Sequence, residues 1–369
     1  MYIVGILLLL GPLITVHELG HYLVGRWFGV KADIFSIGFG KELFGWSDKR
    51  GTRWRIAAIP LGGYVQFHGD MNPASIPNQE ALKGFGARER DESFQCKPLW
   101  QRALIVFAGP ATNLLLTIGI FATFFAVVGR PVPIDPEDST TVSRFAENSA
   151  AQEAGVEVGD RILAIDGNPI VEFRDISDKV MLYPDKQIVL EVERDGERLS
   201  IPMTIGASVE QDQFGNEARV GRLGFYSGEF TFVSLTIPQA VGQAMNASWD
   251  LTKMMATGVG QILTGDRSIK ELGGPVKIAK YSGEQLSLGL AAFVNFAALI
   301  SLNLAFINLL PIPALDGGHL AFYAAEAVRR KPVSPRGMEL AYRTGVAIVL
   351  MLMVVVTVND LVSLPIFGS

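Results

Sequence analysis

The chain has 369 residues, 49% of them hydrophobic, a mean hydropathy of +0.29 and a formal net charge of −5. Its apolar residues come in blocks long enough to cross a bilayer, which excludes a pair of water-soluble domains and points to a few membrane spans plus one domain. A single cysteine, Cys96, excludes an internal disulfide, and no nucleic-acid partner is expected.

The first block, residues 1–28, is too long for a signal-peptide core and has no small-residue cleavage site after it, so it reads as a retained span. It contains His-Glu-x-x-His. On a helix, the i, i+4 spacing puts His17 and His21 on one face as two corners of a tetrahedral Zn²⁺ site, with Glu18 beside them to take a proton from water. Two histidines and a glutamate inside a span are costly unless paired, ligated or facing a wet cavity.

Residues 29–98 carry Lys31, Lys41, Lys49, Arg50, Arg53 and Arg55 among other bases, and are expected on the cytoplasmic side. A second span follows at 99–128. It holds Asn113 in "GPATN", which reads as a bridge between helices. From about 131 to 285 acids predominate, so this segment belongs on the opposite face and the N-terminus starts outside.

Within it, residues 139–226 read as a small α/β module: strand, short helix, Gly-Asp turn, strand, Asp-Gly turn, helix, then a hairpin about Asp195-Gly196. Residues 232–285 read as an amphipathic helix and linker. Val241, Met245, Trp249, Ala256, Val259 and Leu263 fall on one stripe, expected to pack on the protein or to lie at the outer membrane interface.

The third span, 286–328, contains "NLLPIPALDGGHL", and the fourth covers 340–362. Two imidazoles do not complete a zinc site. The candidates for a third ligand in apolar surroundings are Asp316, His319 and Glu326, with Asp316 the best because Pro311 and Pro313 break the helix beside it and expose backbone that only a lined cavity tolerates. His17 lies roughly 24 Å below an outside N-terminus, and Asp316 follows about 23 apolar residues descending the same way, so their depths match.

Five blocks in order now carry a resemblance: "HELGH", "IPLGGYV" (59–65), "QRALIVFAGPATNLLL" (101–116), the Gly159–Gly167 text of the module, and "NLLPIPALDGGHL" (308–320). The chain resembles the site-2 proteases of the bacterial regulator-of-sigma-E-protease type. The resemblance implies a polytopic α-helical membrane protein of about four spans, with a re-entrant β-hairpin and one inserted PDZ domain of the permuted bacterial kind. It implies an intramembrane zinc metalloprotease using one Zn²⁺, with His17, His21 and Asp316 as ligands and Glu18 as catalytic base.

The re-entrant hairpin is expected at Trp54–Phe67, where a substrate strand would add to an exposed edge beside Gly62, Gly63 and Tyr64. Asn308 and Pro311 resemble substrate-binding positions, although capping of a broken helix competes for Asn308. "GRLGF" resembles a PDZ peptide-holding loop, with Gly221, Leu223, Gly224 and Phe225 as its residues, while a role as plain turn residues stays equally open. The implied setting is a bacterial inner membrane, with the N-terminus and PDZ domain periplasmic. The implied partners are lipid, a single-span substrate such as an anti-sigma factor or leftover signal peptide, and an upstream protease that shortens it. A silent PDZ scaffold and a metal or ion transporter are the competing functions; no inverted repeat supports the second.

Overall fold

The computed structural model describes residues 1–70, 84–134, 139–211, 217–271, 273–331 and 334–362. It divides into two compact units, residues 1–121 with 273–360 and residues 122–272. Among the described residues four helices are long and apolar enough to cross a membrane.

The first unit opens with α1 (Tyr2–Trp27), whose inward face carries Leu9, Leu13, His17 and Gly20. Its other faces leave Leu8, Leu23 and Trp27 exposed, as a helix facing hydrocarbon requires. A hairpin follows, β1 (Ala32–Ser47) and β2 (Arg53–Phe67). The sequence reading placed both arms inside Trp54–Phe67; that stretch is instead a single strand, and its partner is Ala32–Ser47. Glycines at 38, 40 and 45 and the Lys41-Glu42 pair interrupt the apolar alternation of β1 and disguise it in the sequence.

The turn is held by Asp48, whose carboxylate accepts from the backbone N–H of Arg50 (2.8 Å) and Thr52 (3.0 Å) and from Trp54 Nε1 (3.0 Å). Ile34–Ile37 is matched both to Gly63–Gln66 and to Arg53–Ile56, so the hairpin folds back on itself and Gly63–Phe67 forms an outer edge. Phe35, Val65 and Phe67 are buried with Tyr22, Phe94, Ile105 and Tyr323, which fixes the sheet against the helices. After a short helix α2 (Ala87–Glu92) comes α3 (Leu99–Val127), which crosses from the first unit into the second.

The second unit begins with β3 (Arg130–Pro133), β4 (Arg144–Phe145) and the one-turn helix α4 (Ala150–Glu153). There follow β5 (Arg161–Ile165), β6 (Asn168–Pro169), α5 (Phe173–Val180), β7 (Gln187–Arg194) and β8 (Glu197–Thr204). The central sheet runs β6-β5-β7-β8. Asp195 and Gly196 both take positive φ between β7 and β8, as a tight hairpin demands.

Ile162, Ile165, Ile176, Leu190 and Val192 form the core of this module. At its Gly-Asp turn Asp160 is 1% exposed and accepts from Arg194 Nε (2.7 Å), Arg194 Nη2 (2.8 Å) and the Glu157 N–H (2.9 Å). Burial alone would raise its pKa; these bonds override it and hold the carboxyl below the usual aspartate value.

Beyond this lie β9 (Gly206–Gln211), β10 (Glu217–Arg222), β11 (Phe225–Tyr226), β12 (Phe230–Val233) and α6 (Ile237–Thr264). The buried face of α6 decides between the two placements expected for its apolar stripe, and the stripe does not pack on the protein. Ala240, Ala244, Ala247 and Ser248 are its buried side, whereas Val241, Met245, Trp249 and Leu263 are exposed. Small side chains allow close packing, so the large apolar stripe is the one turned out.

The stretch read as the end of a linker is a further helix, α7 (Pro275–Leu288), which belongs to the first unit and packs on α1. Asp360 accepts from the N–H groups of Gly274 and Lys277 (both 3.1 Å) and so satisfies orphan donors at the start of α7. Next come α8 (Leu290–Leu309), a break at 310–315, α9 (Asp316–Arg329) and α10 (Pro335–Val362), which contains Asp360.

Candidate active site

Three helices meet at the site, through residues that all belong to the first unit. α1 supplies His17, Glu18 and His21; α9 supplies Asp316 at its first turn; α3 lies behind the imidazoles. The break before α9 follows from Pro311 and Pro313, which remove two backbone donors, and Ala314 there adopts φ +85, a strained value for a residue with a Cβ. Gly317 lets α9 start directly beneath the last carbonyls of α8, since a Cβ at this position would collide with the oxygens of Leu309 and Leu310. Asp316 is thereby turned toward α1.

His17 Nε2 lies 3.1 Å from Asp316 Oδ2, His21 Nε2 lies 3.6 Å from Asp316 Oδ1, and the two Nε2 atoms are 3.2 Å apart. One ligand atom from each residue falls within 4.8 Å of the others. Tetrahedral Zn²⁺ with bonds of about 2.0–2.2 Å sets its ligand atoms roughly 3.4 Å apart, so this donor set fits the ion. The tautomer fits as well: His21 Nδ1 lies 2.8 Å from the carbonyl of Ile105, which can only accept, so the neutral ring keeps the lone pair on Nε2. Helix α3 can come this close because residue 109 is glycine; a Cβ there would strike His21 Nε2 and His17 Cε1.

Glu18 turns to the other side, where its Oε2 accepts from the Val65 N–H at 3.2 Å. The outer edge of the hairpin and the carboxylate therefore share one wall. A cavity of about 520 Å³ opens onto both and onto the three ligand candidates. Among its other lining residues are Gly62, Gly63, Tyr64, Asn308 and Tyr342. Tyr64 stacks on Phe39 at 6.1 Å, and Arg55 sits over its ring at 4.9 Å.

Not every residue singled out in the sequence arrives here. Pro311 is exposed and does not line the cavity, because its role in the break turns it outward. His319 lines the cavity one turn beyond Asp316 but is not among the three converging groups. Glu326 pairs with Arg102 at 2.8 Å and so ties α9 to α3.

In the second unit, Leu223 is buried and its carbonyl accepts from Ala151 N–H (2.9 Å) and Ser149 Oγ (3.3 Å). Gly221 N–H donates to Met181 O (2.9 Å), Gly224 has φ +84, and Phe225 packs edge-on against Phe173. These contacts build the loop into the module. Sequence reading missed Ile105, Gly109 and Tyr342 as parts of the site. "GPATN" was the one signal for Gly109; a carbonyl contact such as that of Ile105 leaves no letter.

A profile of peptidase family M50 matches residues 5–352. Two relatives are named "Putative zinc metalloprotease": one of Rhizobium meliloti (strain 1021), 44% identical over 96% of this chain and 95% of its own length, and one of Agrobacterium fabrum, 43% identical over 98% and 96%. Metalloprotease MmpA of Caulobacter vibrioides is 38% identical over 97% of this chain and 95% of its own length. Among solved structures, the PDZ domain of an SdrC-like protein from Listeria monocytogenes matches 24% of this chain and 87% of its own at 15% identity, with a TM-score of 0.19.

Proposed function

This chain belongs to peptidase family M50, the site-2 proteases, and is a membrane zinc metalloprotease; on that premise we propose that it cuts single-span membrane proteins within the bilayer, with His17, His21 and Asp316 holding the zinc and Glu18 as the base. The observation that carries the residue assignment is the convergence of those three donor sets beside Glu18 on one cavity among membrane-crossing helices.

Held by His17, His21 and Asp316, Zn²⁺ would acidify water and polarise the scissile carbonyl. Glu18, held by the Val65 N–H, takes the proton from the attacking water and delivers it to the leaving amine. The Gly63–Phe67 edge offers backbone groups to an extended substrate, and strand addition there keeps a helical segment unwound at the site. Asn308 on the cavity wall donates to a substrate carbonyl, and Tyr64 flanks the same path. The hairpin enters the membrane from the cytoplasmic side, consistent with its exposed Phe39, Leu43, Phe44 and Ile59.

The alternation of basic and acidic loops supports a bacterial inner-membrane protein whose N-terminus and 139–226 module are periplasmic. The module is a PDZ domain, on the strength of its Gly159–Gly167 text and strand–helix order, and it restricts cutting to substrates already shortened by another protease. Candidate substrates are anti-sigma factors and remnant signal peptides. The testing experiment reconstitutes the full chain in lipid with a labelled single-span substrate and measures zinc content and cleavage before and after chelation. Cleavage that persists in metal-free protein overturns the reading.

A further inference from the structure

Both histidines turn their second ring nitrogen to α3. For His21 the partner is the Ile105 carbonyl, which fixes the proton on Nδ1. For His17 it is the side-chain amide of Asn113, a fully buried residue, 3.4 Å from His17 Nδ1. With the amide nitrogen toward the ring, His17 Nδ1 has to accept and the proton sits on Nε2, the atom aimed at Asp316 and His21. That tautomer serves an Nε2–H···Asp316 hydrogen bond but gives the metal no lone pair.

Oxygen and nitrogen of a carboxamide exchange places by a half turn, and Asn113 Oδ1 is buried with no hydrogen-bond partner that would resist the exchange. We infer that in the zinc-loaded protein Asn113 presents Oδ1 to His17 Nδ1–H and thereby sets the His17 tautomer that leaves Nε2 free to ligate, a positioning role that rests on the zinc reading above. The same device then acts twice, on His21 through a main-chain oxygen and on His17 through a side-chain oxygen. Such partners of ligating histidines orient the ring and raise its basicity.

The rest of the residue's bonding is independent of this role. The Asn113 backbone carbonyl accepts from Thr117 Oγ1 (3.0 Å) within α3 and from Ser301 Oγ (2.9 Å) of α8, and any residue at 113 keeps both bonds. A variant can therefore remove the amide without unfastening the helices.

The test uses the full chain in detergent and two readouts that need no substrate. The chain has four histidines, so ¹⁵N-histidine spectra of the zinc-loaded wild type can be assigned. Protonated Nδ1 with metal-bound Nε2 is expected for His17. A proton on Nε2, or metal bound through Nδ1, overturns the inference. Zinc affinity by chelator competition is the second readout: Asn113→Leu should weaken it about 10–100-fold, and Asn113→Asp, which can only accept, should retain it. Wild-type affinity in Asn113→Leu, or loss in Asn113→Asp, overturns the inference; should Asn113→Leu fail to fold, the wild-type spectrum and Asn113→Asp still decide. Wild type that binds no zinc brings down the zinc reading itself, whereas zinc bound to the wrong tautomer brings down this inference alone.

Discussion

Glu18 and Val65 are joined by one hydrogen bond of 3.2 Å, from the main chain of the sheet edge to the carboxylate beside the three ligand candidates. The proposed base and the proposed substrate strand therefore hold each other in position. Glu18→Gln separates the two functions. The amide oxygen still accepts from Val65, so the edge keeps its place, but the side chain no longer takes a proton. Cleavage should fall by about 10²–10⁴-fold while zinc content stays at the wild-type level. Ordinary turnover by this variant would remove Glu18 from the chemistry.

Asp316 is the one acidic member of the converging set, and its nearest rival lies one turn along the same helix. Asp316→Asn should lower zinc occupancy and activity together, with affinity weakened at least about tenfold. His319→Ala should leave occupancy unchanged. Metal analysis of the two purified variants distinguishes them, and full occupancy without the Asp316 carboxylate would transfer the ligand role to His319.

The closeness of α1 and α3 predicts a penalty from a single methyl group. Alanine favours a helix over glycine by about 1 kcal/mol, so Gly109→Ala ought to stabilise α3 in isolation. Here the added Cβ meets both imidazoles. The expected result is weakened zinc binding by more than about tenfold, with unchanged helical content by circular dichroism. Tight zinc binding by this variant would mean that the rings do not occupy that space in the working enzyme.

Asp160 gives the module a pH dependence of known sign. Its folded pKa lies below the ordinary value, so the stabilisation is present above the unfolded-state pKa of about 3.9 and is lost as pH falls through the lower, folded one. At pH 7 Asp160→Asn should destabilise the module by about 2 kcal/mol, the usual worth of hydrogen bonds to a charged partner. The gap to wild type should close below about pH 4. Limited proteolysis of the full chain with an acid-tolerant protease, read at cuts within 139–226, measures it. A gap that does not change with pH would show that the Arg194 contact carries no charge-dependent stability.

Much of this site could be read in the sequence because its chemistry is spelled by side chains at fixed spacing. His17, Glu18 and His21 follow from helical period, and Asp316 from two prolines beside an acid. What escaped was set by main chain and by space. The partner of the 54–67 strand escaped because glycines and a Lys-Glu pair mask the alternation of 32–47. For α6, periodicity defines a face without saying which way it points, which left two placements open for its apolar stripe. Here alanines took the packed side and left Trp249 and Met245 exposed.

The last prediction separates chemistry from selection. Every group proposed for catalysis lies in the unit made of residues 1–121 and 273–360, whereas 139–226 contains its own core and its own sheet. Replacing 139–226 by a short flexible linker should therefore leave a folded chain that binds zinc. If the module is a size filter, the truncated enzyme should also cut a substrate whose outer domain is intact, which the full chain spares. If it recruits substrate by a peptide end, cleavage of the trimmed substrate should fall, and Gly224→Val should reproduce that fall by forcing a Cβ against Ser149 at positive φ. Filtering is the expected outcome, because Leu223 and Gly221 are committed to contacts inside the module. The measurement is cleavage of matched long and trimmed substrates by both enzymes. Selectivity that survives excision would sink the filter, and trimmed-substrate cleavage that survives it would sink recruitment.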